Sequence, residues 1–72
     1  MTRFNGRGML EPFSCEMMLV EPVPVCDLDV LLGLPKDYGR NLIVVRGSRK
    51  LSANDLIYDG EEIILFIAIM GG

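Results

Sequence analysis

Histidine is absent from this chain, and cysteine occurs only as Cys15 and Cys26. Without an imidazole, neither a Ser-His-Asp nor a Cys-His nucleophile can be assembled. The two cysteines lack the spacing of a zinc site and have no histidine to complete one. In a reducing compartment they read as free, partly buried thiols, with a disulfide or an accessory redox role as the alternative. No glycine-rich loop precedes a helical segment, so no phosphate-cradling loop is expected. Seventy-two residues are too few to enclose a large substrate pocket. The chain is therefore not expected to be an enzyme, nor to bind a metal or cofactor.

Long apolar runs are also missing. The longest, residues 63–70, falls far short of the roughly 20 residues a membrane helix needs. The opening residues contain no apolar stretch of the kind that drives secretion. A cytoplasmic protein without a membrane partner is expected. Basic residues are few, 7 against 10 acidic, for a net charge of -3. That balance suits a nucleic-acid backbone poorly, and no basic stripe or RNA-binding aromatic motif is present. Arg46, Arg49 and Lys50 cluster around an expected turn and read as a solvated loop.

What is present is apolar bulk. Half of the residues are hydrophobic, enough for one small folded domain, spanning residues 1–70. A domain of this size buries only about 60% of its unfolded surface, so its core is thin.

Residues 2–5 read as a first strand, with Asn5-Gly6 as a turn signal. Residues 7–14, containing Gly8 and Pro12, read as loop, and residues 15–21 as a second, antiparallel strand. Pro22 and Pro24 end it by removing backbone donors. Val25, Leu28, Leu31 and Leu32 then form one apolar stripe at helical spacing. Asp27 and Asp29 lie in the first turn, where the helix dipole favours carboxylates. Gly33 stands at the position of a left-handed cap, and Pro35 stops the helix. Residues 36–40 read as polar loop, 41–46 as a β-branched strand and 50–52 as a short edge strand. Residues 53–58 read as an irregular connection with room for one helical turn. Asp59-Gly60 is a tight turn that launches the last strand, from Glu61 to Met70.

That last strand is apolar at every position from 63 to 70, the mark of a central strand covered on both faces. By alternation, Ile63, Leu65, Ile67 and Ile69 face one way; Ile64, Phe66, Ala68 and Met70 face the other. One short helix can cover only one face. The even-numbered set is thus the candidate partner-binding face, unless the chain's own loops bury it. The expected architecture is an α+β roll, a mixed four- to five-stranded sheet with one short helix packed on one face. If its first and last strands pair centrally, they run parallel. Gly71-Gly72 follows as a thin, flexible tail with no side chains. Such a tail can thread a channel too narrow for any Cβ and present its carboxylate to a reagent inside.

This arrangement resembles the β-grasp, ubiquitin-like sulfur carriers of the ThiS/MoaD family. The matching segments are Val25-Cys26-Asp27-Leu28 with Leu32-Gly33-Leu34-Pro35, residues 42–47, Asp59-Gly60-Glu61-Glu62-Ile63 before the final strand, and residues 65–72 at the tail. Arg46 stands where the family usually has Asn, Pro24 where a capping Thr is common, and the tail lacks the Pro-Pro frequent in MoaD. The tail is closer to ThiS, and the longer front half closer to MoaD.

The resemblance implies that Gly72 is adenylated by a ThiF- or MoeB-like enzyme, which uses ATP. The adenylate would then be converted to a thiocarboxylate. Sulfur would pass to a thiazole synthase or to the large subunit of molybdopterin synthase. Gly71 would supply reach, while Ile64, Phe66, Ala68 and Met70 would dock the body. Asp59, Glu61 and Glu62 would meet basic residues of the activating enzyme. The alternatives are a non-covalent β-grasp interaction module and a ubiquitin-like protein modifier.

Overall fold

The computed structural model describes residues 1–68. Strand β1 (Thr2–Gly6) leads into a 3-10 helix (Gly8–Phe13) and then β2 (Cys15–Met17). A short strand β3 (Val23–Pro24) precedes a 3-10 turn (Val25–Asp27) that runs directly into α1 (Leu28–Leu32). Next come α2 (Lys36–Arg40), β4 (Leu42–Arg46), β5 (Arg49–Lys50), β6 (Leu56–Ile57) and β7 (Glu62–Ile67). Five strands form one mixed sheet in the order β2-β1-β7-β4-β5, and β3 pairs with β6 in a separate two-stranded sheet. β7 is central, parallel to β1 and antiparallel to β4. The whole is an α+β roll of β-grasp type.

The core lies on the helical side of the sheet. Phe4, Leu10, Leu28, Ile57, Ile63 and Leu65 are fully buried there, with Val44 almost so. Each strand contributes alternate residues, as the period-2 geometry requires. Leu28 supplies the buried face of α1, and Gly33 closes that helix at φ 69, bonding back to Val30. A left-handed residue at this position costs glycine nothing and any other residue a Cβ clash.

Several segments differ from the sequence expectation. β1 does not turn at Asn5-Gly6. Gly6 pairs with Leu65, and the Arg7 N–H donates to the Leu65 carbonyl at 2.9 Å. The expected loop 7–14 is a 3-10 helix that folds Leu10 over the end of the core. A Cβ on Gly6 would lie 1.9 Å from the Leu10 carbonyl oxygen, so this packing requires glycine.

β2 stops at Met17, not at residue 21. The Leu19 N–H donates to the Asp59 carboxylate at 3.0 Å instead of to a strand, and the flanking Met18 and Val20 are exposed. Residues 36–40, expected as loop, form α2, so the sheet carries two short helices where one was expected. Tyr38 of α2 packs edge-on against Phe13, with ring centroids 6.2 Å apart. Finally, Val23–Pro24 and Leu56–Ile57 pair with each other where only a strand end and an irregular connection were expected.

Candidate functional site

The two faces of β7 differ in cover. Ile63 and Leu65 are fully buried against the helical layer, whereas Ile64 is half-buried on the opposite face and Phe66 keeps 36% of its surface exposed. Register extends this outer face across the sheet. Ile64 lies between Asn5 of β1 and Val45 of β4, and Val45 lies beside Lys50 of β5. Phe66 pairs with Ile43. Ile43, Val45, Ile64 and Phe66 thus make a contiguous apolar strip on the face opposite the core.

Ile43 and Val45 were not singled out in the sequence. The alternation within β4, with Val44 buried between them, was the signal that could have found them. One end of the strip is charged, with one cation between two carboxylates. The Arg3 guanidinium lies 3.8 Å from Glu16 and 3.7 Å from Glu62. These exposed pairs contribute little to stability, up to about 1 kcal/mol each.

Of the sequence-predicted docking residues, Ile64 and Phe66 share this face. Ala68 lies just past β7, half-buried, and its N–H donates to the Asn41 carbonyl at 2.9 Å. Met70, Gly71 and Gly72 lie outside the described residues. The three acidic residues expected to meet an activating enzyme are engaged by their own chain. Asp59 accepts hydrogen bonds from the Leu19 amide and the Thr2 hydroxyl, and these hold its carboxyl below the ordinary range. Glu61 accepts from Arg46 at 3.2 Å and from the Tyr58 N–H at 2.7 Å. Glu62 faces Arg3.

On the helical side, a cleft of about 300 Å³ is lined by Val25, Cys26, Asp29, Arg40, Leu42 and Leu51, among others. Its walls mix one carboxylate, one guanidinium and one thiol with apolar side chains. Both cysteines are free. Cys26 is exposed, and burial pushes the Cys15 thiol up. Among the described residues no cluster of three or more His, Cys, Asp or Glu side chains is placed to hold a metal, and no helix is long and apolar enough to cross a membrane.

A scan against protein-family models finds no match to this chain, and a search of curated proteins finds none either.

Proposed function

We propose that this protein is a sulfur carrier of the ThiS/MoaD kind, loaded as a thiocarboxylate at Gly72. One observation carries the reading. The strand that leads to Gly71-Gly72 is the central one, hydrogen-bonded on both sides, and its outer face carries the half-buried Ile64 and the exposed Phe66. A partner seated on Ile43, Val45, Ile64 and Phe66 would grip the body on the strand that precedes the glycine pair in sequence. The chemistry requires Gly72 to carry the free carboxylate. A carboxylate is a poor electrophile, so adenylation by a ThiF- or MoeB-like enzyme would install AMP as a leaving group. A persulfide sulfur would then displace it. Every catalytic group would belong to the partners, which makes this chain a co-substrate and not an enzyme. A thiazole synthase or a molybdopterin synthase large subunit would receive the sulfur.

The test is intact mass after incubation with ATP, an adenylating enzyme of this class and a sulfur donor. The expected gain is the mass difference between sulfur and oxygen, mapped to the C-terminal peptide. Deleting Gly72, or appending an alanine after it, should abolish that gain and leave the fold unchanged. A deletion that leaves biological function intact would instead favour the non-covalent interaction module, for which the outer apolar face is sufficient.

A further inference from the structure

Asn5-Gly6 has the residues of a turn but lies inside β1, and the pair carries a chemistry of its own. The side-chain amide of an asparagine can be attacked by the backbone nitrogen of the next residue. Glycine leaves that approach open because it has no Cβ. Here the nitrogen is held. The Arg3 and Arg7 N–H groups donate to the Glu61 and Leu65 carbonyls, so by alternation the Gly6 N–H points to the β2 side. The ladder between β1 and β2 ends at the Phe4–Cys15 pair. Beyond it the Ser14 hydroxyl accepts the Gly6 N–H at 2.9 Å and lies 3.5 Å from the Gly6 carbonyl oxygen. The 3-10 helix sets Ser14 in place, since the Ser14 N–H caps it by donating to the Glu11 carbonyl at 3.1 Å. Gly6 is buried, whereas Asn5 is half-buried and pairs with Ile64 on the outer face. Asn5 and Ser14 share a shallow cleft of about 280 Å³ with Arg3, Cys15 and Glu16, which lets water reach the asparagine.

We propose that Asn5 is a deamidation site that the fold keeps latent, with Ser14 as its lock. When the Ser14 contact opens, the Gly6 nitrogen gives its proton to solvent base and attacks the side-chain carbonyl carbon of Asn5. A carbon–nitrogen bond forms, ammonia leaves, and a cyclic imide results. Water then opens the imide at either carbonyl. The product is aspartate, or isoaspartate with the chain running through the former side chain. Both place a new carboxylate beside Ile64 on the outer face. Isoaspartate also adds a carbon to the backbone of β1, which offsets its register against β7. The modification is a covalent record of the time this corner spends open.

The experiment holds wild type, Ser14→Ala and Ser14→Thr in mildly alkaline buffer. Deamidation is followed by the mass gain of the peptide containing Asn5, with isoaspartate resolved by chromatography. Wild type unfolded in urea should react at least about tenfold faster than the native protein. Native Ser14→Ala should react about fivefold faster than native wild type, the effect of one lost hydrogen bond. Ser14→Thr keeps the hydroxyl and should stay near the wild-type rate. Amide hydrogen exchange separates a local lock from general weakening. In Ser14→Ala it should accelerate at Gly6 and not at Val44 or Leu65.

Four results would each overturn the proposal: an unfolded chain no faster than the native one, Ser14→Ala at the wild-type rate, Ser14→Thr as fast as Ser14→Ala, or exchange that accelerates equally at Gly6, Val44 and Leu65. Sulfur loading at Gly72 enters none of these readouts, so the carrier reading stands or falls separately.

Discussion

Thr2 and Asp59, 57 residues apart in sequence, are joined by a hydrogen bond of 3.0 Å from the Thr2 hydroxyl to the Asp59 carboxylate. The same hydroxyl oxygen accepts the Gly60 N–H at 3.2 Å, and the same carboxylate oxygen accepts the Leu19 N–H at 3.0 Å. One turn thereby ties together the start of β1, the exit from β2 and the launch of β7. Thr2 is fully buried, so its hydroxyl has no water to fall back on. Thr2→Val should cost about 1–3 kcal/mol, measured by urea unfolding.

The same bonds predict a pH dependence. The Leu19 amide first, and the Thr2 hydroxyl second, favour ionised Asp59 and lower its folded-state pKa. In the unfolded chain the group titrates near its ordinary value, about 3.9. Its contribution is therefore fully present above that value and is lost as pH falls through the folded one. Asp59→Asn should flatten the acid limb of stability below the ordinary carboxylate value. Unfolding midpoints at stepped pH read this directly, and an unchanged slope would mean that the carboxylate is not the tie described.

The two faces of β7 call for opposite outcomes from the same substitution. Leu65→Asp places a charge at a fully buried position, which exceeds what a thin core can tolerate. The variant should be unfolded by circular dichroism. Phe66→Asp sits on the outer face and loses mainly its cross-strand contact with Ile43, about 1 kcal/mol or less. It should remain folded and lose partner binding. A Phe66→Asp variant that unfolds would contradict the face assignment.

Gly6→Ala should destabilise by about 3 kcal/mol, because the added methyl meets the Leu10 carbonyl and must displace the 3-10 helix. Gly8→Ala, where nothing lies within 4 Å of the added carbon but φ is 56, should cost less, about 1–2 kcal/mol. Thermal melts of the two variants test the order.

The thiols should separate kinetically. Cys26 is exposed, while Cys15 is partly covered and raised in pKa by burial. Alkylation should modify Cys26 first, by an order of magnitude or so in rate, since the thiolate is the reactive form. Peptide mapping after brief iodoacetamide treatment would show the order, and Cys26→Ser should remove the fast phase.

The elements legible in the sequence are those whose reasons are local or periodic. β4 and β7 show β-branched or continuously apolar runs, and the segment from Val25 to Leu32 carries its own stripe and its glycine stop. The central place of β7 followed from its apolarity on both faces. The missed elements depend on distant partners. Residues 36–40 look polar and contain Gly39, yet they form a helix beside α1, where a Cβ on Gly39 would come within 3.1 Å of the Asp29 side chain. Residues 18–21 look like strand, but the Leu19 amide is claimed by a carboxylate 40 positions away. Ile43 and Val45 became part of the candidate face only when register set them beside Phe66 and Ile64.

By itself the sequence determined the balance of the chain: no imidazole, few cations, a core assembled from alternating strands and a glycine pair after the last of them. Composition and periodicity act within a few residues, and they survive without knowledge of neighbours. The tertiary structure alone decided which carboxylates are spent internally and which apolar side chains lie side by side on the outer face. Those outcomes depend on strand register and on hydrogen bonds between residues far apart in the chain, and no local pattern encodes them.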